Sequence, residues 1–112
     1  MSLGYYYDIK ANNSTQLDKV RFRMHNTNAR VRKIENDLTL EEYVAISHQA
    51  CHYCGDSPAL GIDRINSKLG YVEGNMLPAC GICNRAKHML TIDEFNMWID
   101  RITAHRKCKG VY

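Results

Sequence analysis

Residues 51–83 read CHYCGDSPALGIDRINSKLGYVEGNMLPACGIC, and the two cysteine pairs that bracket this stretch, Cys51/Cys54 and Cys80/Cys83, decide the fold. Each pair is a Cys-x-x-Cys knuckle. Two knuckles offer four soft thiolates, the tetrahedral set that a structural zinc ion takes. With all four positions filled by protein, such an ion would brace the chain and leave no place for a substrate. A dithiol redox pair is the competing use of Cys-x-x-Cys, but the βαβ frame that would carry one is absent from the pattern. His52, inside the first knuckle, is expected to be exposed or to support the ligands from behind rather than to be a fifth ligand. Cys108 stands apart near the C-terminus as a spare thiol or an intermolecular contact.

At 112 residues the chain has room for one domain and not for two. Its hydrophobic share of 45% is that of a folded chain. A core of this size is thin and commonly needs a staple, which the cysteines supply. No run of about 18 apolar residues occurs, so no membrane span is expected. The N-terminus does not read as a secretory signal. The expected location is therefore intracellular, in the cytoplasm of a bacterium or of a phage or viral host cell.

The formal net charge of +3 is modest, but its distribution is uneven. Lys19, Arg21, Arg23, Arg30, Arg32 and Lys33 follow one another with no acidic residue between them. Such a block suits a polyanion or a solvated helix face. A helix is expected from Ser14 or Thr15, with Leu17, Val20, Met24, Thr27, Val31 and Ile34 on its inward face and an interruption near Asn26–Asn28. Tyr5-Tyr6-Tyr7, ahead of it, reads as a strand or packing patch.

Thr39-Leu40-Glu41-Glu42 is a capping box that starts a short helix ending near His48. Leu60–Arg64 reads as a strand, Asn66–Gly70 as a turn, and Asn75–Leu77 as a second strand. Asn84 is expected to open a short helix. A second capping box, Thr91-Ile92-Asp93-Glu94, starts a helix whose stripe of Phe95, Trp98, Ile99 and Ile102 is expected to pack into the core. Residues 1–50 are thus an N-terminal helical, basic segment of the same domain as a zinc-braced core at 51–112.

Between and after the knuckles the chain resembles the HNH, or His-Me finger, nucleases. The resemblance runs from about Thr39 to Ile102. It rests on Cys51-x-Tyr53-Cys54-Gly55, Ile62-Asp63-Arg64-Ile65, Gly70-Tyr71-x-x-x-Asn75 and Pro78-x-Cys80-x-x-Cys83-Asn84-x-x-Lys87, in that order. It is strongest toward a subgroup that includes rare-cutting restriction enzymes and small phage- or virus-type HNH proteins. The implied fold class is α+β: a small ββα-metal finger braced by four cysteines and zinc, preceded by basic helices and followed by a C-terminal helix.

The implied activity is metal-dependent hydrolysis of DNA phosphodiester bonds. Carried over by position, Asp63 matches the family's metal-binding carboxylate and Asn84 the second protein ligand. Asn75 matches the residue that pins the loop. One carboxylate and one amide oxygen form a hard site suited to Mg²⁺ or Mn²⁺. The chain departs from the family at Arg64, where most members carry the histidine that acts as general base. The subgroup shares Asp-Arg at this place. Arginine cannot abstract a proton, but it can hold the scissile phosphate. The base is then His88, four residues beyond Asn84, or else Tyr71.

DNA is the expected partner, with Arg21, Arg23, Arg30, Arg32, Lys33, Arg85 and Lys87 on its phosphates. Duplex cutting needs two active sites, or two visits by one, so a homodimer is expected, with nicking by a monomer as the alternative. A zinc module that binds nucleic acid without cutting it is the alternative function.

Overall fold

A computed structural model describes residues 15–108, and the Tyr5-Tyr6-Tyr7 expectation lies outside them. The described residues form four helices and a two-stranded sheet, an α+β arrangement. Helix α1 spans Thr15–Val31, with Asp18 in its first turn and Arg30 in its last, each complementing the helix dipole. It runs unbroken through Asn26–Asn28, and Lys33, at φ 57°, turns the chain away.

The inward face of α1 is not the expected one. Val20, Met24 and Val31 are exposed, whereas Asp18, Phe22, His25 and Ala29, spaced four, three and four apart, point inward. Polar partners beyond the helix, His48 and Asn36, select this face. Asp18 Oδ1 lies 2.9 Å from His48 Nε2 and 3.7 Å from Arg21 Nη1. His25 Nε2 lies 3.1 Å from Asn36 Oδ1, and the His25 ring meets Tyr43 and Tyr71.

Helix α2, Leu40–Ser47, starts at its capping box: Glu42 N donates to Thr39 Oγ1 at 3.2 Å and Thr39 N to Glu42 Oε1 at 3.0 Å. It turns Tyr43 into the larger core, where Leu38, Tyr43 and Ile62 pack with Phe22, Ile46, Tyr71 and Met76. Residues on both sides of position 50 therefore share one core.

Strand β1, Ile62–Arg64, pairs antiparallel with β2, Met76–Pro78, in the register Ile62–Pro78, Asp63–Leu77, Arg64–Met76. The strand begins later than Leu60 because Leu60 holds φ 69°, outside extended backbone. Helix α3, Gly81–Lys87, begins three residues before Asn84, because the Cys80 thiol is its N-cap and accepts from Cys83 N at 3.4 Å. Helix α4, Ile92–Cys108, starts at the second capping box, with Glu94 N donating to Thr91 Oγ1 at 3.1 Å.

Of the stripe expected to pack inward on α4, only Phe95 does so, against Tyr53 at 5.3 Å between ring centroids. Trp98, Ile99 and Ile102 are exposed, Trp98 at 51%. Among the described residues, nothing buries these later turns of the helix. Among the described residues, no helix is long and apolar enough to cross a membrane.

The link from α1 to α2 is stitched to the hairpin loop. Tyr71 N donates to Glu35 O at 2.7 Å, and Asn36 bridges Tyr71 in parallel. A Cβ on Gly70 would overlap the Glu35 carbonyl and its Cβ. Gly70→Ala is expected to cost about 1–3 kcal/mol of stability, as overpacking does. Thermal unfolding would register this as a drop of roughly 4–8 °C per kcal/mol. An unchanged midpoint would mean that the stitch yields freely.

Candidate functional site

Four sulfurs form the first half of the site. The Sγ atoms of Cys51, Cys54, Cys80 and Cys83 all lie within 4.8 Å of one another, with Cys54 and Cys80 3.8 Å apart. A tetrahedral zinc with Zn–S of about 2.3 Å sets its sulfurs about 3.8 Å apart, so the cluster fits a zinc ion. Two tight turns bring it together. Gly55, at φ 78°, closes the first knuckle with its N–H on Cys51 O at 2.9 Å, and α3 opens out of the second.

Backbone N–H groups prepare the sulfurs. Burial opposes ionisation of Cys51, but N–H groups of Cys54, Cys80 and Tyr53 hold its thiol at about 7. Burial pushes Cys83 well above the usual thiol range. Cys51, Ala59, Ala79 and Cys80 are buried together as a second small core, with Tyr53 and Cys83 against it.

Tyr53 joins this cluster to the second half. Its hydroxyl donates to Asp63 Oδ2 at 2.5 Å. Burial and the Asp63 carboxylate both push that hydroxyl far above the ordinary phenol range, so it stays protonated and donating. Asp63 also meets Lys87, whose Nζ lies 3.1 Å from Oδ2 and 3.4 Å from Oδ1.

Beyond this pair opens a cleft of about 470 Å³ between β1, the loop after it, α3 and the end of α1. Asp63, Arg64, Tyr71, Asn84, Arg85 and His88 line it, with Arg32 from the N-terminal segment. A neighbouring groove shares Arg32 and Arg64 and adds Lys33 and Lys68. Lys68 belongs to no motif in the sequence and sits among turn residues.

The site residues are held in distinct ways. Arg64 Nη1 donates to Ser67 O at 2.8 Å and Leu69 O at 2.9 Å, with its guanidinium 5.5 Å from the Tyr71 ring centroid. The Tyr71 ring in turn meets His25 edge-on at 4.3 Å, a pairing with no signature in the sequence. Burial pushes the His25 imidazole below its usual value, only partly offset by Asn36, so it is neutral.

Asn75 does not face the cleft. It is buried under the loop, with Nδ2 donating to Gly70 O at 2.8 Å and Asn66 O at 3.1 Å, and Oδ1 accepting from Asn66 N at 2.9 Å. Asn84 Nδ2 reaches Ile62 O at 3.5 Å, tying α3 to β1. His88 is not on the helix with Asn84. It is the C-cap of α3 at φ 48°, yet it is exposed and lines the same cleft.

The basic residues divide. Arg21 turns inward to Asp18, whereas Arg23 and Arg30 face outward on α1. Arg32, Lys33 and Arg85 are exposed at the cleft and its groove. Lys87, expected on phosphates, is 3% exposed and paired with Asp63. Its aliphatic stem packs inside while the ammonium satisfies the carboxylate.

No family model matches the chain. No solved structure matches it either. Over 65 residues, 55% of the chain, it is 35% identical to "Uncharacterized protein R423" of Acanthamoeba polyphaga mimivirus. The chain spans 12% of that viral protein's length.

Proposed function

We propose that the chain is a metal-dependent endonuclease that hydrolyses DNA phosphodiester bonds through a one-metal site of the HNH type. In this reading β1, β2 and α3 form a ββα-metal finger braced by zinc at the four cysteines. The observation that carries it is the cleft in which Asp63, Arg64, Asn84 and His88 meet under a rim of arginines.

The Asp63 carboxylate and the Asn84 amide oxygen would hold Mg²⁺ or Mn²⁺, a donor set that fits a hard cation. When bound, the ion would stabilise negative charge developing on the phosphate oxygens. Arg64 uses Nη1 on the loop carbonyls. Its remaining guanidinium N–H groups would grip the scissile phosphate, and their position is fixed in advance by the loop and by Tyr71. His88 is the base in this reading, because it is exposed at the cleft and imidazole is the side chain that exchanges protons near neutrality. Tyr71 is the weaker candidate, since Arg64 and His25 already pack on its ring. Cleavage abolished in Tyr71→Phe and kept in His88→Ala would reverse this assignment.

The test is supercoiled plasmid incubated with zinc-loaded protein in Mg²⁺ or Mn²⁺. Wild type should cut, and Asp63→Ala should lower the rate by about 10²-fold or more, the scale of an ion's charge stabilisation. Nicked product would mark cutting of one strand, and linear product cutting of both, by a homodimer or by two visits of one site. A folded, zinc-loaded wild type that leaves the plasmid intact in both metals would replace this reading with the binding module.

DNA binding itself should follow the arginines. Arg30→Ala with Arg32→Ala is expected to weaken binding to all sequences alike. It should also flatten the dependence of log affinity on log salt, by up to about 0.9 for each phosphate no longer neutralised. A slope equal to that of wild type would remove the end of α1 from the interface.

A further inference from the structure

Lys87 is the residue of the cleft that the proposed chemistry leaves unused. It is the last residue of α3, and its side chain is 3% exposed although it carries a full charge. Its ammonium touches both oxygens of one carboxylate, at 3.1 and 3.4 Å. Asp63 is itself only 12% exposed and receives the Tyr53 hydroxyl as well. A buried carboxylate requires a compensating cation, and here a lysine provides it. Of the other cations of the cleft, Arg64 is turned to the loop carbonyls, and Arg32 and Arg85 are exposed at its edge, so the ion pair of Asp63 is with Lys87.

We infer that Lys87 holds the cation position at Asp63, so that a divalent ion reaches this carboxylate by displacing the lysine ammonium. This rests on the reading of Asp63 as a metal ligand. An ammonium and a divalent ion cannot share one carboxylate at about 3–4 Å in a half-buried site without strong repulsion. The lysine has the means to leave. Its stem is flexible, it ends a helix, and the cleft opens beside it toward Arg85 and His88. A DNA phosphate in the cleft offers the released ammonium a new anionic partner. Metal and DNA therefore bind with positive coupling, and the carboxylate is loaded when substrate is present.

The test is Mn²⁺ binding to zinc-loaded full chain, followed by the electron paramagnetic resonance signal of free Mn²⁺. Lys87→Met, which keeps the stem and removes the charge, should bind Mn²⁺ at least about tenfold more tightly than wild type, equivalent to about 1.4 kcal/mol. Asp63→Asn should remove that binding in both backgrounds. Equal or weaker binding by Lys87→Met would overturn the inference, as would no binding in either protein.

Should Lys87→Met fail to fold, wild type carries the test alone. Reductive methylation of Lys87, read by mass spectrometry, should be slow without Mn²⁺ and rise when Mn²⁺ is added, and constant protection would overturn the inference. The two readings fail separately. Exchange at Asp63 in a protein that cuts nothing would sink the nuclease and leave the exchange standing. Cleavage with equal Mn²⁺ affinity in wild type and Lys87→Met would do the reverse.

Discussion

If Cys51, Cys54, Cys80 and Cys83 hold zinc, as their clustering allows, a strong chelator is expected to unfold the domain. The reason lies in how little else holds its centre. The buried hydrophobic residues number nine among those described, and two of them are Cys51 and Cys80. The first knuckle touches the hairpin directly, His52 N donating to Pro78 O at 2.8 Å, and Cys80 N donates to Cys51 Sγ at 3.3 Å. Apparent zinc-binding energies of about 10–16 kcal/mol at such sites are comparable to or larger than the about 5–15 kcal/mol stability of an ordinary domain. Helix α3 should melt when the metal leaves, because its N-cap is the Cys80 thiol. Far-UV circular dichroism during chelation should show helix disappearing as zinc is released, and Cys80→Ser should reproduce it. A chelated protein that keeps its helical signal and unfolds cooperatively would show that the apolar clusters suffice without the ion.

Asn75→Ala should be the most damaging single change outside the cysteines, at about 3–5 kcal/mol, because it removes three hydrogen bonds at about 1 kcal/mol each and orphans the buried Gly70 carbonyl at about 1–3 kcal/mol. The side chain is 5% exposed and makes three hydrogen bonds to one loop, to Asn66 N, Asn66 O and Gly70 O. That loop carries the Ser67 and Leu69 carbonyls that anchor Arg64. Removing Asn75 thus frees the arginine as well as destabilising the fold. Asn75→Asp sharpens the test. It keeps the acceptor for Asn66 N but turns a carboxylate oxygen toward two carbonyls, and it should be at least as destabilising. Denaturant unfolding measures both. A cost of less than about 1 kcal/mol in Asn75→Ala, the scale of a single net hydrogen bond, would mean that the loop is held from elsewhere.

What can be read from the sequence follows the range of the interactions involved. The cysteine pairs and the two capping boxes are local patterns whose partners lie three residues apart, and each forms as its spacing implies. The face of α1 depends on partners far along the chain: Asp18 meets His48 thirty residues away, and His25 meets Asn36 eleven away. Apolar periodicity therefore selects Val20, Met24 and Val31, which face solvent. The Lys87–Asp63 pair is hidden for the same reason. The sequence around Lys87 gives no sign of the partner that the hairpin brings against it, Asp63, 24 residues earlier. The α4 stripe shows the converse error. Its period is helical, but periodicity does not reveal whether anything packs against the stripe.

The exposed part of α4 also determines how this protein can be watched. Trp98 is the chain's one tryptophan, half in water and with the Arg101 guanidinium 5.3 Å from its ring centroid. Its emission is therefore expected to lie close to that of a solvated indole. Melting of the cysteine knuckles should leave its spectrum almost unmoved. Tyrosine is the better optical reporter, because Tyr43, Tyr53 and Tyr71 lie in the two clusters that must come apart.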